Sequence, residues 1–102
     1  MSKIAVLAKL TTVDGKRDDA VSAFAPMFDH VRANEAGTLV YALHKDQNDA
    51  NVLWFYELYD GQDSLTAHSG SDTMKSLQLK GLLAGRPELT MLDPAAAKGL
   101  DF

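Results

Sequence analysis

Cysteine is absent from this 102-residue sequence. That absence excludes disulfide bonds, thiolate catalysis and thiolate metal sites together. Long apolar runs are missing too. The segment from Ile4 to Leu10 is interrupted by Lys9 and is too short for a signal peptide or a membrane span. In the absence of such a signal, we expect a cytoplasmic protein.

Positive charge is scarce as well. Ten lysines and arginines face fourteen acidic residues, which leaves a net charge of −4. Nucleic acids and anionic membranes attract basic surfaces, so neither is an expected partner. No glycine-rich phosphate or dinucleotide fingerprint occurs, and the three histidines (His30, His44 and His68) lack the spacing of metal ligands. We therefore expect a protein that works without a cofactor or a metal.

The apolar pattern predicts one α+β domain with the element order β-α-β-β-α-β. Strands are predicted over residues 4–10, 38–46, 51–59 and 88–92, and helices over residues 16–34 and 61–83. Pro26 should kink the first helix, and Gly70 should divide the second into two pieces. This order is the split, ferredoxin-like fold with an antiparallel sheet. We assign residues 1–93 to the domain and residues 94–102 to a C-terminal tail.

The third predicted strand is apolar on both faces. One face carries Leu53, Phe55, Glu57 and Tyr59, and the other carries Val52, Trp54, Tyr56 and Leu58. In so small a protein, one face of the sheet can lie under helices and the other against a partner subunit. We therefore predict a homodimer with Trp54 and Tyr56 in its interface.

Glu57 and His68 are the candidate catalytic residues. A carboxylate on a buried strand is costly unless it is paired or protonated. His68 lies one helical turn after Leu65 on the same face, so it should reach the side of the sheet that carries Glu57 and Tyr59. A Glu–His pair would hold one imidazole tautomer and leave the other nitrogen free for a substrate proton. The alternative is a structural hydrogen bond that closes the helix onto the sheet.

Several aromatic residues could line a pocket beside this pair. A buried phenol needs a partner and can donate to a ligand, whereas core packing is the simpler interpretation for the two helical phenylalanines. Arg86 could meet an anionic group at the pocket mouth, or it could simply be solvated. The predicted substrate-binding residues are Tyr59, Phe55, Tyr41, Phe24, Phe28 and Arg86. His30 receives no role, and His44 is expected at the surface.

Four segments resemble the antibiotic biosynthesis monooxygenase superfamily, and the resemblance extends over residues 3–93. They are V-D-G-K at 13–16, E-A-G-T-L-V-Y at 35–41, Y-E-L-Y at 56–59 and L-T-A-H at 65–68. The resemblance implies a dimeric α/β barrel, in which two sheets pack face to face and each subunit keeps a pocket between sheet and helices. Members include cofactor-free monooxygenases that oxidise quinols or polyketide phenols with molecular oxygen.

Other activities in the superfamily bear on this sequence. Haem-degrading members carry an asparagine on the first strand and a tryptophan at the end of the third, where this sequence has Ala8 and Tyr59. Haem breakdown is therefore not expected. Members that isomerise a phosphorylated autoinducer sugar share the Tyr-Glu and Ala-His segments, so that activity stays open.

Three functions follow as hypotheses. The first is a cofactor-independent monooxygenase that uses O2 on a quinol or hydroxylated aromatic, with His68 as the base and Glu57 orienting it. The second is an isomerase of a small phosphorylated ketone, which needs cations at the pocket that only Lys9, Lys80 and Arg86 could supply. The third is a non-catalytic dimeric ligand-binding protein, in which the Glu57–His68 pair is structural.

Overall fold

A computed structural model describes residues 2–102 and has four strands and four helical segments. In chain order they are β1 (Ile4–Thr11), α1 (Arg17–Ala23), α2 (Ala25–Asn34), β2 (Thr38–Lys45), β3 (Val52–Tyr59), α3 (Gln62–Ser69), α4 (Asp72–Lys75) and β4 (Glu88–Leu92). The strands form one antiparallel sheet in the order β2-β3-β1-β4. This confirms the predicted ferredoxin-like α+β fold.

Strand register divides the sheet into two faces. On the inner face, toward the helices, Tyr41, Glu57, Val6 and Met91 form one row across the four strands. The next inner row is Leu43, Phe55, Ala8 and Leu89. The outer face carries Leu7, Trp54 and Tyr56, all of them only partly buried. The two-sided apolar pattern of β3 therefore corresponds to a covered inner face and a partly open outer one.

The helical region before β2 is two helices that meet at Phe24, rather than one kinked helix. A continuous helix would need a backbone N–H at position 26 to bond the Ser22 carbonyl, and Pro26 has none. Proline is tolerated in the first turn of a helix, where it lies in α2. The predicted disruption at Pro26 is thus confirmed, in the form of a full break.

The predicted helix over residues 72–83 is wrong beyond Lys75. Leu77, Leu79, Leu82 and Leu83 all pack against the core cluster that contains Phe24 and Phe55. No helix can turn four residues at that spacing toward one side, so the segment follows an irregular path. Gly81 has φ +80°, which helps the chain to turn there.

Strand β2 departs from strict alternation near its start. A register irregularity between Thr38 and Val40 interrupts the alternation of β2, and Leu39 is exposed instead of sharing the inner face with Tyr41.

The tail from residue 94 onward contains no helix or strand, and Lys3 Nζ donates to the Asp101 carbonyl at 2.7 Å. Within residues 2–102, no helix is long and apolar enough to cross a membrane.

Candidate active site

A cavity of about 400 Å³ lies between the inner face of the sheet, α3 and the irregular segment before β4. Most of its lining is aliphatic or aromatic, and its volume falls in the range of small-molecule sites. The ionisable side chains of its lining are Glu57, His68 and Tyr41, which sit together on one side. Among the described residues that line it, there is no lysine or arginine. The cavity is therefore suited to an uncharged, largely apolar molecule with one polar group.

His68 is placed by α3 and is almost wholly buried, with 2% of its surface exposed. Its Nδ1 lies 2.7 Å from Glu35 Oε1, and its Nε2 lies 3.9 Å from Glu57 Oε1. The predicted pair of Glu57 and His68 is thus in contact. The carboxylate that accepts the ring-orienting hydrogen bond, however, is Glu35, because only Glu35 is within hydrogen-bond distance.

Glu35 follows the last residue of α2, in the turn that leads to β2. Its Oε1 accepts a second hydrogen bond from Thr38 Oγ1 at 2.7 Å, so the carboxylate is held from two sides. With Nδ1–H donating to a carboxylate, the neutral ring carries its lone pair on Nε2, which lies on the side of Glu57 in the cavity lining. The bonding partners therefore assign His68 the tautomer that a general base requires.

Glu57 is held by Tyr59. The Tyr59 hydroxyl, fully buried at the end of β3, donates a short hydrogen bond to Glu57 Oε1. Burial raises the pKa of Glu57 above its ordinary value, and the hydrogen bond from Tyr59 and the nearby His68 only partly oppose this shift. Burial also raises the pKa of Tyr59, with the Glu57 carboxylate adding to the effect. Tyr59 therefore acts as a fixed donor to Glu57.

Aromatic rings form one wall of the site. Tyr41 stacks on Phe55 with ring centres 4.8 Å apart and meets the His68 ring edge-on at 4.9 Å. Phe24 packs edge-on against Phe55 at 5.0 Å. Burial raises the pKa of Tyr41 well above its usual range, so its phenol stays neutral. These three aromatic side chains line the cavity.

The other predicted substrate-binding residues lie elsewhere. Tyr59 stands behind Glu57 and is not part of the lining. Phe28 packs on Tyr41 and Phe55 and faces surface grooves between α2 and β2. Arg86 is exposed in the loop before β4, outside the cavity lining, because the loop carries it toward solvent. Their predicted contact with substrate stays a prediction.

A close approach of α3 to the start of β2 brings Glu35 and His68 together. A side chain at Gly37 would place its Cβ 2.0 Å from Ser64 Oγ and 2.9 Å from Asp60 Oδ1. Only glycine leaves room for this contact. The E-A-G segment, which directly follows the helix predicted to end at residue 34, therefore supplies both the carboxylate and the space that the site needs.

Among residues 2–102, no group of three or more histidine, aspartate or glutamate side chains is arranged to hold a metal ion.

Comparison with known proteins places this site in a recurring fold. The family model for antibiotic biosynthesis monooxygenases matches residues 3–79. A Caulobacter crescentus CB15 protein, whose name provisionally places it among those monooxygenases, is 31% identical with a TM-score of 0.85, over 93% of this chain and 92% of its own.

Two other solved structures are similar. A Mycobacterium tuberculosis protein is 26% identical with a TM-score of 0.81, over 94% of this chain and 98% of its own. A Pseudomonas aeruginosa protein, 22% identical, has a TM-score of 0.81 over 94% of this chain and 97% of its own, and so shares the fold. No curated protein sequence matches significantly.

Proposed function

Because the chain belongs to the antibiotic biosynthesis monooxygenase family, we propose that it is a cofactor-independent monooxygenase that oxidises a quinol or other hydroxylated aromatic with O2. One observation carries the proposal: the Glu35–His68 pair stands at the polar side of an otherwise apolar cavity. That arrangement suits an aromatic ring with a single acidic hydroxyl group.

His68 Nε2 takes the proton from the phenolic hydroxyl, while Glu35 stabilises the imidazolium that forms. The resulting phenolate is electron-rich and reduces O2 directly, so that a C–O bond forms at a ring carbon. Loss of water from the hydroperoxide, with the hydrogen of that carbon, leaves a ring carbonyl. One oxygen atom of O2 enters the product and the other leaves in water. The ring supplies all four electrons, so the reaction needs no external reductant.

Glu57 has a different role in this proposal. Its raised pKa and its bond to Tyr59 suit a group that holds the substrate hydroxyl near His68. The apolar walls exclude water, which protects the reactive anion and strengthens the hydrogen bonds at the site.

The isomerase alternative fits less well. A phosphorylated ketone needs cationic partners, and no lysine or arginine lines the cavity in the described part of the chain. Lys9 lies on the outer face, over the ring of Trp54, and Arg86 is exposed in its loop.

A cytoplasmic homodimer is part of the same proposal. Trp54, Tyr56 and Leu7 leave a partly open apolar patch on the outer face of the sheet, which a second sheet could cover. Leu89 and Met91 on β4 are 63% and 54% exposed although both also line the cavity. A second subunit that covered β4 would complete the cavity wall.

Oxygen consumption tests the proposed reaction. Metal-stripped protein is incubated with quinols and hydroxylated naphthalenes and anthracenes, beside His68→Gln. We expect uptake above the autoxidation rate for at least one substrate, and loss of at least 99% of that excess in the variant. No excess uptake from the whole panel would contradict the proposal. The matched control is His44→Gln, since His44 is exposed on β2 and does not line the cavity.

A further inference from the structure

His30 and Glu35 continue the polar chain from the cavity toward solvent. His68 Nε2 lies on the side of Glu57, which lines the cavity, and His68 Nδ1 bonds to Glu35 on the other side. The second oxygen of Glu35, Oε2, is buried and has no aligned hydrogen-bond donor in the described part of the chain. His30 Nε2 lies 3.1 Å from it, close enough for an ion pair although not aligned for a hydrogen bond. The His30 side chain is 24% exposed.

From this geometry we propose that Glu35 and His30 form a proton path that connects His68 to solvent at the end of α2. The inference rests on the proposed role of His68 as the base. It gives the proton that His68 takes a route to solvent and back, because an apolar substrate fills the cavity side of His68 and excludes water there.

Each transfer along the path is balanced. The substrate proton binds His68 Nε2, and the proton on His68 Nδ1 moves to Glu35 Oε1. The Glu35 carboxyl group then turns so that this proton faces His30 and passes it to His30 Nε2, and His30 releases its Nδ1 proton to water. The oxidation releases no net proton, because the peroxide takes one up before water is lost. The same transfers then run in reverse, which returns both rings to their starting tautomers and the path to its starting charge.

Asn34 suits His30 to this role. The Asn34 side-chain amide lies 3.3 Å from His30 Nδ1. Its NH2 group can donate to an unprotonated Nδ1, and after a half-turn its oxygen can accept from Nδ1–H. Both neutral tautomers of His30 can therefore be held, which a residue that takes a proton on one nitrogen and releases it from the other requires.

The surface beside Glu35 allows the path to be tested by chemical rescue. A recess of about 410 Å³ lies between the end of α2 and the start of β2, and Glu35, Arg32 and Thr38 line it. When His30 is truncated to alanine, we expect free imidazole to enter beside this recess and to take the place of the missing ring at Glu35.

Solvent exchange of the His68 Nδ1 proton measures the path directly. In the ¹⁵N-labelled full chain, NMR saturation transfer gives the exchange rate for wild type, His30→Gln and His44→Gln. Glutamine can still approach Glu35 but cannot take up and release a proton. We expect exchange to slow at least tenfold in His30→Gln and to match wild type in His44→Gln.

Rescue separates loss of the path from a structural effect. In His30→Ala we expect added imidazole to restore the exchange rate in proportion to its concentration. An unchanged rate in His30→Gln, or a slow rate in His30→Ala that imidazole does not restore, would overturn the path. The measurement uses no substrate, so it stands or falls separately from the oxidation. If the oxidation is found, kcat of His30→Ala should also rise with imidazole while KM stays constant.

Discussion

At the scale of single residues, Glu35 determines what His68 can do. The carboxylate accepts from Nδ1–H, which leaves the lone pair of Nε2 on the side of Glu57 in the cavity lining. In Glu35→Gln the amide NH2 can donate to Nδ1 instead, which favours the tautomer with Nε2–H and removes the base. We expect kcat to fall by about 10²-fold with little change in KM. Steady-state kinetics of the oxidation measure kcat and KM. The control variant is Glu88→Gln, because Glu88 is exposed on β4. An unchanged kcat would contradict the role of Glu35.

The contribution of Glu57 to the free energy of unfolding depends on pH. Because burial raises its pKa, the folded protein binds this proton more tightly than the unfolded chain does. The stabilisation from Glu57 is therefore complete below the unfolded pKa and is lost as pH rises through the folded one. Glu57→Gln keeps an acceptor for Tyr59 and has no charge to bury.

For Glu57→Gln we expect the free energy of unfolding to match wild type near pH 3.5 and to exceed it by about 1 kcal/mol at pH 7. Urea denaturation across this range measures the difference. A variant that is less stable than wild type at pH 7 would show that the ionised carboxylate stabilises the fold. The activity of the variant should fall, since the substrate hydroxyl loses the carboxyl group that holds it near His68.

At the scale of elements, the sequence was most informative where the inner face imposes strict alternation. The strands lie within a residue or two of their predicted bounds because buried side chains must alternate with outer ones. The segment after Lys75 could not be predicted in the same way. Its leucines are apolar enough for a helix, and only their packing against Phe24 and Phe55 determines the irregular path.

The candidate site was predictable in part for a similar reason. Glu57 and His68 stand out because they are polar residues on elements that must be buried. Glu35 lies beyond the end of a helix, and His30 lies on the polar side of α2, where ionisable residues are common. A tertiary contact, the approach of α3 to β2, brings both residues into the site. Gly37 is the one feature of the sequence that indicates this contact.

That approach predicts the effect of Gly37→Ala. The new Cβ would overlap Ser64 Oγ and crowd Ser64 Cβ at 2.8 Å, so α3 must move away from the start of β2. We expect a loss of about 1–3 kcal/mol in the free energy of unfolding. Denaturant titration measures it, and Gly85→Ala is the control, because a Cβ there meets nothing within 4 Å and should change stability by less than about 0.5 kcal/mol. Equal stabilities for the two variants would contradict the close approach.

At the scale of the whole molecule, the outer face determines the expected assembly. Sedimentation equilibrium should give twice the 11.1 kDa chain mass. Tyr56→Lys would put a charge without a partner inside the proposed interface. We expect the dissociation constant of the dimer to rise at least tenfold. Val13→Lys is the control, because Val13 is an exposed apolar residue beyond the ends of the strands. A monomeric wild type, or equal dissociation of both variants, would contradict the interface.

We propose that this protein inserts one atom of O2 into an aromatic substrate with His68 as the base. Reaction under ¹⁸O2, followed by mass spectrometry of the ring product, tests it most directly. We expect one ¹⁸O atom in each product molecule formed by wild-type protein, and almost no product with His68→Gln. A product that carries only oxygen from water, or the same labelled yield from His68→Gln as from wild type, would contradict it.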